Sequence, residues 1–539
     1  MPIINAAQSS VKTISDPNAE YDSLRKVWDR TRAVCQGERY VKDYDSLIDV
    51  ITFNNLLIPF SPSMSQAQYN FYKAEAELPG ITAQFARMLV GGLLRKCPTL
   101  TLPEGMKDSE VIHDWIMNEF GQDDSTLTAW LDVALWEEIQ TSRGWVIVDY
   151  PTVPGGLTKE ENYDYKPYPC LYKAESVINW RTRKNAHGKL VLDRLLIRGM
   201  SEDYDKDTNE FHPKYMDTIW VYELDEEDLY QIRIFKRNTE TTNVPVIAGN
   251  IQVDTNKVQF ELVETITDIQ MHGERLDFIP AWPLNGSIPV MQPILSPIID
   301  KEVSLYNKIS RRNHLLYGAA TYTPVLASDM GDDAFNEIVG GGLGTWVKIR
   351  QGDTLTALET PTAALQDMDR CIAASIEEMA KLGIRMLTPE TDQSGVALEI
   401  RNAAQTAQMG SLNNKISNTM KQVICFMINW RFDMELESGD LDFSLSADFS
   451  PVPLGSDWLR LATEWFQQGL IPRSIWLGIL KHNDMIPPDY DDEEGQAEIA
   501  GDLEKQVLNQ ANMEYAAATI NNGGKPPPTE QEASGLEGV

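Results

Sequence analysis

Residues 296–318 read SPIIDKEVSLYNKISRRNHLLYG, and residues 360–383 read TPTAALQDMDRCIAASIEEMAKLG. The first stretch predicts a helix. Ser296 supplies the cap, and Pro297 takes the first helical position, where its missing N–H costs nothing. Ile298, Leu305, Ile309 and Leu316 then recur at helical spacing. Asp300 and Glu302 in the opening turns, with Arg311, Arg312 and His314 near the end, suit the helix dipole. Gly318 stops it. The second stretch opens at Thr360-Pro361. It carries Leu365, Met368, Ile372, Ile376 and Met379 as one apolar stripe and ends at Gly383. Each helix spans about 22 residues, or about 33 Å. Two rods of equal length joined by an insert make a strut that holds a small domain away from a larger body.

Working outward, residues 384–395 (IRMLTPETDQSG) form a polar loop. From Val396 to near Glu437 there is no proline and one glycine, Gly410, while Leu412, Ile416, Val423, Met427, Trp430 and Met434 keep helical spacing. That predicts a helix of about 40 residues and 60 Å, well beyond the usual length of about 11. A long core helix in a large α+β protein reads the same spacing equally well. Inside the insert, Thr323–Ala327 and Thr345–Ile349 read as strands, with Gly340-Gly341-Gly342-Leu343-Gly344 as a flexible turn between them.

Upstream, Tyr21–Cys35 is an amphipathic helix with Leu24, Trp28, Thr31 and Cys35 on one face. Gln68–Lys96 is helical with a break at Pro79-Gly80, and Pro98 prevents its continuation. Val111–Phe120 and Leu127–Thr141 read as helices whose Trp and Leu stripes are core positions. From Trp145 the pattern changes to short β-branched runs: Trp145–Tyr150, Leu190–Arg198, Ile219–Leu224, Tyr230–Lys236 and Val258–Ile266. This is an antiparallel β region joined to helices, an α+β body. Downstream, Leu441–Phe449 alternates as a strand. Trp458–Phe466 and Ile475–Leu480 are short helices, a last helical region runs to about Ile520, and residues 521–539 have the composition of a disordered tail.

The chain has 539 residues, 42% of them hydrophobic, and a net charge of −33. A sizeable core is therefore possible, and ordinary binding of nucleic acid through its phosphates, which needs a basic surface, is disfavoured. The five cysteines form no CxxC pair, as expected of free thiols in a reducing compartment. The start lacks the basic and apolar regions of a secretory signal, and no run of 18 apolar residues is present to span a membrane. The expected place of synthesis is the cytoplasm.

Catalytic and metal motifs are thin. The six histidines are scattered, and HExxH is absent. Asp203, Asp205 and Asp207 match the start of a calcium loop, but Thr208 replaces its glycine and Lys214 its bidentate glutamate; a solvated hairpin tip is the simpler reading. No Gly-Lys-Ser/Thr follows Gly340–Gly344, so the run is no phosphate cradle, and Gly-x-Ser-x-Gly is missing. Arg95-Lys96 reads as a basic helix end, and the acidic run 489–494 as a solvated helix start. No cofactor or catalytic residue is expected.

Together, several short motifs carry a resemblance. They are Trp28…Arg32…Cys35 with Gly37; Leu93-Leu94-Arg95-Lys96-Cys97-Pro98…Leu102-Pro103; Gly144–Pro151; Ala174–Arg181; Ile279–Pro283; and the 293–318 helix. With the order helix, β insert, helix, polar loop, long helix, the chain resembles the tailed-phage portal proteins, in the portal family long filed as a phage domain of unknown function (DUF4055-like). The likeness covers about 20–500. It implies a ring of about twelve copies at a capsid vertex, through which double-stranded DNA is packaged and ejected.

By the same resemblance, residues 1–288 are an arm and wing, 289–318 and 361–383 the stem helices, 319–360 a clip, and 384–395 the channel loop. Residues 396–454 are the long helix and its return to the wing, 455–505 a crown, and 506–539 a partly disordered tail. Thr388, Glu390, Thr391, Asp392, Gln393 and Ser394 would line the channel, brushing phosphates without holding them. Lys381 and Arg385 would flank it as positive rings. Gly340, Gly341, Gly342 and Trp346 belong to the clip, which would dock the terminase large subunit and then head–tail connector proteins; major capsid and scaffold proteins are the other implied partners. A ring of about twelve copies would carry roughly −400, so an acidic wall would repel a duplex rather than grip it. Two other readings stay open: a metal-dependent hydrolase using Asp203 or Asp205, and a tail or baseplate component assembling through the long helix.

Overall fold

The computed structural model describes residues 13–46, 55–151, 165–185, 188–203, 214–237, 260–320, 325–327, 329, 331, 347–349, 352, 362–383, 395–432, 434–445, 456–482, 485–486 and 495. Two compact units divide the chain, Met1–Phe449 and Ser450–Val539.

The first unit is α+β. It opens with helices α1 (Ala19–Gln36), α2 (Glu38–Ser46), α3 (Gln66–Glu75) and α4 (Ile81–Leu93). Then come β1 (Thr99–Thr101), α5 (Ser109–Asn118) and α6 (Leu127–Thr141). Asn18 caps α1 by accepting the Tyr21 N–H. Ser65 and Gln68 form a reciprocal capping box on α3. The expected α1 face of Leu24, Trp28, Thr31 and Cys35 is buried throughout.

The β region has two main sheets. A three-stranded sheet places β2 (Trp145–Asp149) between β11 (Ala281–Pro283) and β3 (Tyr168–Tyr172). A five-stranded antiparallel meander runs β4 (Val177–Lys184), β5 (Leu190–Asp203), β6 (Lys214–Leu224), β7 (Tyr230–Arg237) and β8 (Phe260–Ile266). A small hairpin, β9 (Gln270–Met271) and β10 (Glu274–Arg275), precedes β11. Asp203 closes the β5–β6 pair opposite Lys214, the hairpin position expected of it; Asp205 and Asp207 lie outside the described residues. β3 and β4 were not anticipated. Within β4 only Val177 and Ile178 are buried before the strand turns to Arg181, Arg183 and Lys184, so it lacks the apolar alternation that marks a half-buried strand.

The rest of the unit is α7 (Ser296–Ala320), a parallel pair of β12 (Val325–Ala327) and β13 (Val347–Ile349), α8 (Thr362–Gly383), α9 (Gly395–Phe432) and β14 (Asp442–Ser444). The core closes around α9 at residues 423–428, which are all buried, while Ser411, Asn414, Lys415, Asn418 and Gln422 of the preceding turns face solvent. α9 ends at Phe432, short of the expected Glu437. The Asn429 side chain accepts the Leu436 N–H (2.9 Å) and donates to the Leu436 carbonyl (2.8 Å), turning the chain back early.

The second unit contains α10 (Ser456–Gln467) and α11 (Arg473–His482). Phe466 stacks on Trp476 with centroids 4.7 Å apart. Gly469, in the left-handed region at φ 73°, makes the turn between the helices.

Candidate functional site

α7 and α8 lie side by side as an antiparallel pair. Three polar contacts join them: Lys301 to Glu378 (2.7 Å), Lys308 to the Ser375 hydroxyl (2.7 Å) and Arg312 to Asp369 (2.8 Å). As one residue number rises along α7 its partner's falls along α8, which fixes the direction. The two ion pairs are solvent-facing and weak alone, and the Lys308–Ser375 bond is part-buried; together they hold the two helices in register.

One end of this pair is rooted in the body. Ile298, Ile299, Glu302, Leu305 and Tyr306 of α7 are buried, and so is Met379 of α8. Glu302 has a role its own helix does not reveal. α4 begins after Gly80, which sits at φ 72° and has no side chain to cap with. The Glu302 carboxylate accepts the N–H groups of Ile81 (2.9 Å) and Thr82 (2.7 Å) instead. It therefore neutralises two orphan donors at the positive end of another helix. The sequence signal was present: a glycine before an apolar helix leaves donors that some distant acceptor must satisfy.

Asn307 makes a second anchor. Segment 55–58 is mostly buried yet has no regular structure, so its backbone groups need side-chain partners. Asn307 accepts the Ile58 N–H (2.8 Å) and donates to the Leu56 carbonyl (2.7 Å). Asp45 accepts the Leu56 and Leu57 N–H groups at 2.7 and 2.9 Å. The Tyr69 hydroxyl donates to the Leu57 carbonyl at 2.7 Å.

The other end of the pair is exposed. Leu316 and Tyr317 are 42% and 51% accessible, so Leu316 is not the core position its spacing suggested. On α8, residues 369–371 face solvent and Ile376 is exposed, leaving the expected stripe buried only at Met379. Along this flank of α7, His314 sits between Phe60 and Tyr72, with ring centroids 4.9 and 5.1 Å away, and its Nδ1 is 3.5 Å from the Glu75 carboxylate. Phe71 packs edge-on against Tyr317 at 5.5 Å.

The quoted motifs of the N-terminal body meet in space. Arg32 of α1 reaches Glu137 of α6 (2.6 Å) and Glu175 before β4 (2.7 Å). Burial pushes Glu175 up, but its hydrogen bond to Arg32 and that charge outweigh burial and hold it below the usual carboxylate range. Glu137 also accepts the Ala174 N–H at 3.0 Å. Nearby, Arg143 is fully buried between the rings of Trp145 and Trp180, 4.8 and 4.3 Å from their centroids, and donates to the carbonyls of Ser287 and Ile288. Burial lowers its guanidinium to about 10 and raises the adjacent Glu138 carboxyl to about 8.

Most of the expected channel and docking residues fall outside the described residues: Arg385, Thr388, Glu390, Thr391, Asp392, Gln393 and Ser394, and Gly340, Gly341, Gly342 and Trp346. Lys381 belongs to the last turn of α8, with its side chain outside that set. The frame on either side is described: α8 ends at Gly383 and α9 starts at Gly395. Among the described residues no cluster of three His, Cys, Asp or Glu side chains is placed to hold a metal, and no helix is long and apolar enough to cross a membrane.

No curated protein matches the chain. A family model described as a domain of unknown function (DUF4055) matches residues 295–431. Those limits fall at the start of α7 and the end of α9, so the chain is similar to that family over one structural block: the paired helices, their insert, the loop and the long helix.

Proposed function

We propose that this chain is the subunit of a portal ring, a structural protein rather than an enzyme. Copies close head to tail around a pore at a capsid vertex. Double-stranded DNA passes through it on packaging and ejection. The observation that carries this reading is the α7–α8 pair, rooted at one end, exposed at the other and followed by a 38-residue helix. The family match over the same block supports it.

In this reading the rooted pair is the stem, the insert is the clip that docks the packaging motor and later the connector, and 384–395 faces the DNA. Capsid and scaffold proteins surround the ring, and about twelve subunits complete it. A chain of charge −33 lets DNA slide because it offers few phosphate anchors.

Electron microscopy of the purified chain tests the proposal. Annular particles with an open centre are expected; compact monomers or filaments would refute it. Replacing 386–394 by a short Gly-Ser link should leave rings intact and impair packaging or retention of DNA. Normal packaging and retention would remove the channel role.

A further inference from the structure

Arg143 is a buried cation with unused donors. The residue is 1% accessible, and its Nη1 donates to the Ser287 and Ile288 carbonyls at 2.9 and 2.7 Å. Its Nε and Nη2 are buried and have no hydrogen-bond partner. These two N–H groups share one edge of the planar guanidinium and point the same way, as a fork. Trp145, whose ring faces the guanidinium at 4.8 Å, carries a third buried and unmatched donor, its Nε1.

The charge is unmatched as well. Among the described residues no carboxylate makes an ion pair with Arg143; Glu138 and Glu20 act on it only through space. Glu138 already accepts the Gly144 N–H at 3.1 Å, and burial pushes its carboxyl up to about 8, so it is uncharged at neutral pH. Glu20 is exposed at the start of α1. A buried guanidinium in this state is costly unless something neutralises it.

We infer that the Nε–Nη2 fork of Arg143 holds a monovalent inorganic anion of halide size. The unmatched side-chain atoms at this place are all donors. A water would bring two hydrogens that themselves need acceptors, whereas an anion brings acceptors only. One negative charge balances one guanidinium. Arg143 is closed off from solvent, so a phosphate ester or a peptide carboxylate has no path to the fork, while a small ion is enclosed as the chain folds. The rings of Trp145 and Trp180 cover the guanidinium, so the ion sits in its plane, where both N–H groups point. With its charge balanced, Arg143 joins β2, β4 and the 287–288 segment at one point. This role is independent of how copies of the chain assemble.

The test is refolding of the full chain in sodium bromide and sodium gluconate mixtures of constant ionic strength, followed by urea unfolding. Gluconate is too large for the site. Once the site is saturated, the unfolding equilibrium constant should fall about tenfold for each tenfold rise in free bromide, as for one ion bound per folded chain. Arg143→Lys keeps the charge without the fork, and Arg143→Met removes both; each should lose the dependence on bromide. Should neither variant fold, the parent still decides the matter. Anomalous scattering from parent crystals grown in bromide should place one ion on Nε and Nη2 of Arg143.

Equal stability of the parent in bromide and gluconate would overturn the inference, and so would an ordered water alone on the fork. A bromide effect that persists in Arg143→Lys would place the ion elsewhere and overturn it too.

Discussion

Glu138 is a buried carboxylate and Glu175 a half-buried one, and they respond to pH with opposite sign. Burial raises Glu138 to about 8, so the folded chain keeps a proton that the unfolded chain releases above its ordinary value near 4.5. Stability therefore falls as pH rises from about 4.5 towards 8. Glu138→Gln keeps an oxygen for the Gly144 N–H, which Glu138 accepts at 3.1 Å. Urea unfolding should show little change for this variant at pH 5 and a gain on the order of 3 kcal/mol at pH 8; no gain at pH 8 would mean that the carboxyl is ionised in the folded chain. Glu175 is held low by Arg32, so its contribution is present above its unfolded value and is lost as pH falls through the folded one. Arg32→Met leaves Glu137 and Glu175 without their cation. It should cost about 3–5 kcal/mol at pH 7 and flatten the acid limb of the stability profile.

At the level of elements, helices with local punctuation were legible in the sequence. Ser296-Pro297 and Gly383 marked ends that the structure shows at Ser296 and Gly383, because caps are decided within a few residues, whereas α7 runs past the expected stop at Gly318 to Ala320. Long-range partners were not legible. Glu302 reads as a residue suited to its own helix dipole, yet it caps α4 some 220 residues upstream; Arg32 gives no sign that Glu137 and Glu175 await it. The insert and the loop, to which the proposed docking and channel residues belong, are read from sequence and resemblance alone. Glu302→Ala should leave two N–H groups unpaired and cost about 2–4 kcal/mol in chemical denaturation, whereas a surface role would give almost nothing. In the meander, a Cβ added at Gly199 would lie 2.8 Å from the Trp220 ring. Gly199→Val should therefore cost about 1–3 kcal/mol by forcing that ring aside, measured as a lowered urea midpoint.

For the whole molecule, the division at Phe449 predicts independence. A chain ending there keeps every element of the first unit, including β14. It should unfold in one transition with the midpoint that unit shows in the full chain by calorimetry; a broadened or missing transition would show that the second unit helps hold the first. The body also has a seam. β14 pairs with β1, where the Thr99 and Ser444 hydroxyls lie 2.8 Å apart across 345 residues, and Leu100 and Phe443 are buried at the join. A nascent chain emerges from its amino end, so Leu100 waits for its cover until nearly all of the unit has been made. A polypeptide cut short before Asp442 leaves that apolar edge bare. Products that reach β14 carry the closed body, whereas those that stop before it present an exposed apolar edge to the machinery of quality control.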